Sequence, residues 1–357
     1  MIPWWTTDFS QSHTAAIEAA FRRRTVVSGS VTREFEQELA ETLGVAHAVL
    51  TTSGTAALFL ALKAVGVGPG DEVILPAHGF IAPAHAVLLA GGSVRLVDVL
   101  PDRPLVDPSR TAPAITDRTK AVVAIHLNGM AADIPGLRQA IGSRPIRIVE
   151  DGAQAFLSRG RHGLLGADAD IATYSLGITK LVTMGEGGFV ATNDPEQAEF
   201  ARRFRNHGVA RIGTDHFDRP GFNLRATDFA AALGRAVLAD REARAAAVGH
   251  VYEEYTVRLG EHPTIQMMPA DLSAGELPLW PQAMCEDRDA VVAALAAADI
   301  QARPLHHCLA DSPHLECQGE FPNAERFSRH GLILPGGTHF TPQNLVSVTD
   351  CLSGVVA

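Results

Sequence analysis

A chain of 357 residues exceeds what a single compact core usually holds, so a large domain and a smaller one are expected. Apolar residues make up 46% and charged residues 20%, which excludes a disordered chain. The formal net charge of -10 repels nucleic acid and anionic membranes, so neither is expected as a partner, and an anionic ligand would need a local positive site.

At the start of the chain, Met1-Ile2-Pro3-Trp4-Trp5 lacks the basic opening and apolar stretch of a signal peptide. Lys63 interrupts the best candidate for a membrane span, and the protein reads as cytoplasmic. The run Arg22-Arg23-Arg24 reads as a solvated helix face. From about residue 45 to 195, strands are expected at His47 to Leu50, Glu72 to Leu75, Val94 to Val97, Ala121 to Ile125, Ile146 to Val149, Ile171 to Tyr174 and Gly188 to Ala191. Most are near-continuous apolar runs, as strands covered on both faces require. Helical patterns such as Thr55 to Val65 and Ile134 to Ile141 lie between them. This alternation predicts an α/β fold with a doubly wound, mainly parallel sheet.

After residue 225 a long helix is expected from Thr227 to about Gly249. Strands near Glu276 to Trp280 and Ile300 to Arg303 follow, with a helix at Asp287 to Ala298, an apolar run at Leu332 to Leu334 and a terminal helix near Pro342 to Leu352. The division reads as residues 1–235 for the large domain, with an N-terminal arm, and 236–357 for a smaller α+β domain. Cys285, Cys308, Cys317 and Cys351 form no Cys-x-x-Cys pair, so idle thiols are expected and no metal site.

Ligands in such sheets bind beyond the carboxyl ends of the strands, and four stretches there stand out. Thr52-Ser53-Gly54-Thr55 follows a strand and opens a helix, which suits a phosphate or merely a helix cap. In Glu150-Asp151-Gly152-Ala153-Gln154 an acidic group enters apolar surroundings, which is costly unless it caps a helix or meets a cation. Lys180 follows Tyr174-Ser175-Leu176-Gly177 and precedes Gly185-Glu186-Gly187-Gly188. The chain has three lysines, Lys63, Lys120 and Lys180, and only the last sits among glycines that admit something bulky. A desolvated amine there suits Schiff-base chemistry, and a snorkelling surface lysine is the alternative. Gly221-Phe222-Asn223-Leu224-Arg225 is a turn carrying an amide and a guanidinium.

In order and spacing these stretches, with Gly68-Pro69-Gly70-Asp71-Glu72-Val73-Ile74, resemble the DegT-type aminosugar aminotransferases. Those are pyridoxal phosphate (PLP) enzymes of the aspartate aminotransferase fold. The resemblance implies that Lys180 carries the cofactor and later moves the proton, while Asp151 pairs with the pyridine nitrogen. It places Gln154 by the phenolic oxygen, and Gly54, Thr55 and Ser175 on the phosphate. Phe80 would stack on the ring, and Asn223, with Arg225 as a further candidate, would reach the phosphate from the neighbouring subunit of a homodimer. Three departures stand out: Gly79 where a Thr is usual, Asn128 where a Tyr is common, and Tyr174-Ser175-Leu176 for a Phe-Ser-Phe run.

The activity so implied is amination of a keto-sugar, nucleotide-linked, with glutamate or glutamine as donor. Arg303 and Arg211 are candidates for diphosphate contacts. The alternatives are a keto-cyclitol or other natural-product ketone as acceptor, and a regulatory relative that binds PLP without turnover. Sugar dehydratases of the family carry a His in place of the lysine, so Lys180 argues against that reaction.

Overall fold

The computed structural model describes residues 1–357 except 23, 25–27, 162, 214, 215, 218, 318 and 355–357. Seven strands form the main sheet: β1 (His47–Thr51), β2 (Glu72–Pro76), β3 (Ser93–Val97), β4 (Thr119–Ile125), β5 (Arg147–Asp151), β6 (Ile171–Ser175) and β7 (Gly188–Thr192). Their spatial order is β1-β7-β6-β5-β4-β2-β3, and β7 alone runs antiparallel to its neighbours. Both faces are covered, which explains the unbroken apolar runs. Val73 and Leu75 face one core and Ile74 another, while Val49 and Val190 lie opposite Leu50 and Phe189.

Register gathers the functional end of the sheet. Gly188 at the start of β7 sits level with Thr51 at the end of β1 and Ser175 at the end of β6. Asp151, closing β5, pairs with Ile125 at the end of β4. Residues separated widely in sequence therefore emerge along one edge.

A second sheet of four antiparallel strands runs Ile265–Met267, Gln282–Cys285, Gly331–Ile333, Arg303–Pro304. Val251, Tyr255, Val291, Leu295, Leu332 and Val348 share its core. The N-terminal arm joins this smaller unit: Ile2 bridges Ile300, and Trp5–Thr6 pairs in parallel with Gly336–Gly337.

Two expectations are corrected. The long helix breaks at Asp240 (φ -92°, ψ 8°) into Asp228–Ala239 and Arg241–Arg258. The first piece packs on helices Gln11–Arg22 and Ser30–Leu43, whereas the second supplies Val251 and Tyr255 to the smaller core. The first piece thus serves the large unit and the end of the second the smaller one, and we propose a boundary between the units near this break, close to the expected 235/236. Glu276–Trp280 is no strand, and pairing starts at Gln282. Pro278 and Pro281 lack donors for a ladder. Side-chain and backbone groups of the large unit hold the segment instead: Glu276 binds Arg103 and accepts from Ala131 N–H at 2.9 Å, and Ser158 Oγ accepts from Leu277 N–H at 3.1 Å.

Of the basic run, Arg22 ends its helix in an exposed pair with Glu18 at 2.7 Å, Arg24 is exposed, and Arg23 lies outside the described residues. The cysteines are free thiols, with Cys285 and Cys308 buried. Among the described residues no helix is long and apolar enough to cross a membrane, and no group of three or more His, Cys, Asp or Glu could hold a metal.

Candidate active site

A cavity of about 860 Å³ opens at the carboxyl edge of the main sheet, a size usual for small-molecule sites of roughly 300–1,000 Å³. Gly54, Thr55, Phe80, Asp151, Gln154, Ser175 and Lys180 all line it. The smaller unit closes it with Trp280, Arg303, His306 and His307, and the N-terminal arm adds Trp4. Two flanking hollows of about 1030 and 1080 Å³ are as large. The buried carboxyl of Asp151 and the amine of Lys180 both line the first cavity.

One wall is a crossing of three backbones. Ser53 caps helix Gly54–Ala64 by accepting from Ala56 N–H at 3.1 Å, so the helix begins at the cavity. A Cβ on Gly54 would lie 2.8 Å from Ser175 Cβ, and one on Gly188 would lie 2.6 Å from the Gly54 nitrogen. Glycine at both positions brings β6, β7 and the helix start together, with first-turn N–H groups that have no intrahelical partner.

Asp151 is buried at the end of β5. Burial raises its pKa, against the opposing effects of the Ala153 N–H at 2.9 Å and the charge of Lys180. Its neighbour Glu150 faces the other way and accepts from His126 Nε2 at 2.9 Å. That tautomer follows because His126 Nδ1 accepts from Ala132 N–H at 3.1 Å.

Lys180 reaches into the cavity with protein on most sides. Burial lowers its pKa from the ordinary 10.5 to about 8, although Asp151 and Glu186 favour the charged form. Its Nζ lies 4.9 Å from the Trp280 ring centroid. Arg244, from helix Arg241–Arg258, fixes the following backbone by donating to Leu181 O at 2.7 Å. His306 is neutral, its pKa lowered to about 4 by burial, Lys180 and His307. The side chains from the smaller unit carried no readable motif, because their relevance depends on how the units dock.

Asn223 is elsewhere. It is exposed on a flanking hollow with Asn206 and Arg225, whose Nε donates to Asn223 Oδ1 at 3.0 Å. The neighbouring Phe222 is 62% exposed. Arg303 lies on the cavity wall, its guanidinium 4.0 Å from the Trp4 ring centroid, and Arg211 does not line the cavity. Asn128 is buried behind the wall and does not line it either.

The model of the DegT/DnrJ/EryC1/StrS aminotransferase family matches residues 8–353. The chain belongs to that family. It is 34% identical to a GDP-perosamine synthase of Caulobacter vibrioides over 90% of this chain and 89% of that one. It is 36% identical to a dTDP-3-amino-3,4,6-trideoxy-alpha-D-glucose transaminase of Streptomyces venezuelae, over 89% of this chain and 85% of the other. The crystal structure of S. venezuelae DesV in complex with a ketimine intermediate superposes with a TM-score of 0.90 at 33% identity, covering 96% of this chain and 93% of that one. The chain is an aminotransferase with the fold of its family.

Proposed function

We propose that the cavity holds PLP on Lys180 and that the enzyme aminates a nucleotide-linked keto-sugar, with glutamate or glutamine as donor. The observation that carries this reading is the pairing, in one cavity, of an amine made less basic by burial with a buried carboxylate short of positive charge. A pyridinium would supply that charge, and the remaining first-turn N–H groups of the helix that starts at Gly54 suit a phosphate. The residues present fit the cofactor.

When bound, PLP supplies an electron sink for the carbon that loses its proton. Asp151 would hold the positive charge on the ring nitrogen. Gly54, Thr55 and Ser175 would bind the phosphate, and Phe80 would cover the ring. Gln154 presents its amide NH₂ to the cavity, because its Oε1 accepts from Asn128 N–H at 2.8 Å. With a pKa of about 8, Lys180 can take a proton and return it near neutral pH. Glu186 also lines the cavity, and the neutral His306 can accept or donate a hydrogen bond there without adding charge. Arg303, stacked on Trp4, offers its guanidinium edge to the acceptor's diphosphate. Asn223 would reach the phosphate bound to a partner subunit, which accounts for its position outside the cavity of its own chain.

Borohydride treatment of the yellow, PLP-loaded protein should fix the cofactor to the peptide containing Lys180. Loading with amino donor followed by a screen of ketones should then restore the absorbance with nucleotide-linked keto-sugars. Label on Lys63 or Lys120, or recovery with simple 2-keto acids alone, would contradict the proposal.

A further inference from the structure

We propose that Asn128 is a positioning residue, holding the Trp280 ring against the Lys180 amine and fixing which end of the Gln154 amide faces the cavity. The contacts that make the coupling lie within one chain, and its value to catalysis rests on the role proposed above for Lys180.

Asn128 occupies the short turn Leu127–Gly129 after β4, with left-handed φ 53° and ψ 33°. Asparagine tolerates that conformation better than most residues. Gly129 follows at φ 81°, and a Cβ there would lie 2.0 Å from the Leu277 carbonyl oxygen. The turn is thereby brought against the segment that leads into the smaller unit.

Three hydrogen bonds then leave Asn128. Its Nδ2 donates to Trp280 O at 2.9 Å, and its Oδ1 accepts from Trp280 N–H at 2.8 Å. Its own N–H donates to Gln154 Oε1 at 2.8 Å. A primary amide carries donor and acceptor at one end, so it can satisfy both backbone groups of Trp280 as a strand partner would. Tyrosine or a carboxylate could not. Asn128 and Trp280 are 3% and 5% exposed, so these bonds have no water to replace them.

Two consequences reach the cavity. Gln154 has its oxygen committed, so Nε2 turns outward, 3.5 Å from His306 Nε2. Trp280 is held with its ring 4.9 Å from Lys180 Nζ, where an indole face favours an ammonium. The ionisable groups facing Lys180 are Asp151 at the end of β5, Glu186 before β7 and His306 from the smaller unit. Trp280 adds to the first two in opposing burial, and Asn128 holds it there.

The chain's three lysines make the test direct. In the full-length protein stripped of cofactor, lysines reductively methylated with ¹³C can be titrated by NMR, with the Lys180 signal assigned by its loss in Lys180→Arg. Asn128→Gly keeps the turn and the bond to Gln154 but removes the clamp, and should lower the Lys180 pKa by about half a unit to one unit. Trp280→Leu should lower it as far, and the double variant no further. An unmoved Lys180 in Asn128→Gly, or additive shifts in the double variant, overturns the proposal. Should Asn128→Gly unfold, Asn128→Asp in the same cycle with Trp280→Leu carries the test, because the added charge cancels in the comparison. Borohydride label on another lysine would sink the cofactor assignment and leave this coupling standing.

Discussion

Glu150 and Asp151 are adjacent carboxylates with opposite fates. Glu150 is matched by His126, whereas Asp151 has one backbone donor and a desolvation cost that its neighbours do not offset. A carboxyl whose folded pKa is raised binds protons in the folded state that the unfolded state has lost. Its stabilising contribution is therefore complete below the ordinary value of 3.8 and is lost as pH rises through the folded pKa. Asp151→Asn should make the cofactor-free protein more stable at pH 7, on the order of 1–3 kcal/mol, by urea unfolding. The gain should shrink near pH 4. The same variant should bind PLP and lose most of its turnover. Near-normal turnover would remove Asp151 from the chemistry. The sequence alone marked Asp151 as costly without a cation, because an acid amid apolar residues is visible there; His126 as Glu150's partner was not.

At the scale of elements, the phosphate wall depends on backbones that meet rather than on any single side chain. Gly54 and Gly188 are far apart in sequence, yet each occupies space that a methyl group would take from the other strand or helix. Gly54→Ala places Cβ 3.2 Å from the Ser175 Cα as well as 2.8 Å from its Cβ, so backbone must shift. We expect a loss of about 1–3 kcal/mol in stability and weaker PLP binding, measured by urea unfolding and cofactor titration. Gly68→Ala, with no atom within 4 Å of the new Cβ, should stay within about 0.5 kcal/mol. Equal effects at the two sites would mean that the crossing is softer than its geometry. The same scale explains the misread segment Glu276–Trp280, in which the backbone of Leu277 and Trp280 is bonded by the Ser158 and Asn128 side chains from distant parts of the chain.

For the whole molecule, the question is how one chain's cavity is completed. Seven of the residues that the resemblance assigns to the cofactor converge, and Asn223 stands apart beside the exposed Phe222. A shared site predicts subunit complementation. Lys180→Ala and Asn223→Ala proteins should each be impaired, the first severely. In a mixed dimer one site receives both defects and the other receives neither, so co-refolding should raise activity above either parent. No recovery with mixed dimers confirmed by mass would place Asn223 in its own chain's site or outside the chemistry altogether.

The sequence by itself determined the main sheet, because strands buried on both faces must be continuous apolar runs, and Leu50, Ile74, Val122 and Val149 state this residue by residue. It also marked Lys180 and Asp151, since an amine or carboxylate among apolar residues and glycines is a local anomaly. Tertiary structure decided the rest. Trp4, Trp280 and His306 matter only because the arm and the smaller unit close over the strand ends, and Asn128 matters because its amide meets the backbone of Trp280. Such contacts join positions far apart in the chain through packing and hydrogen bonding, and neither leaves a period nor a spacing to read.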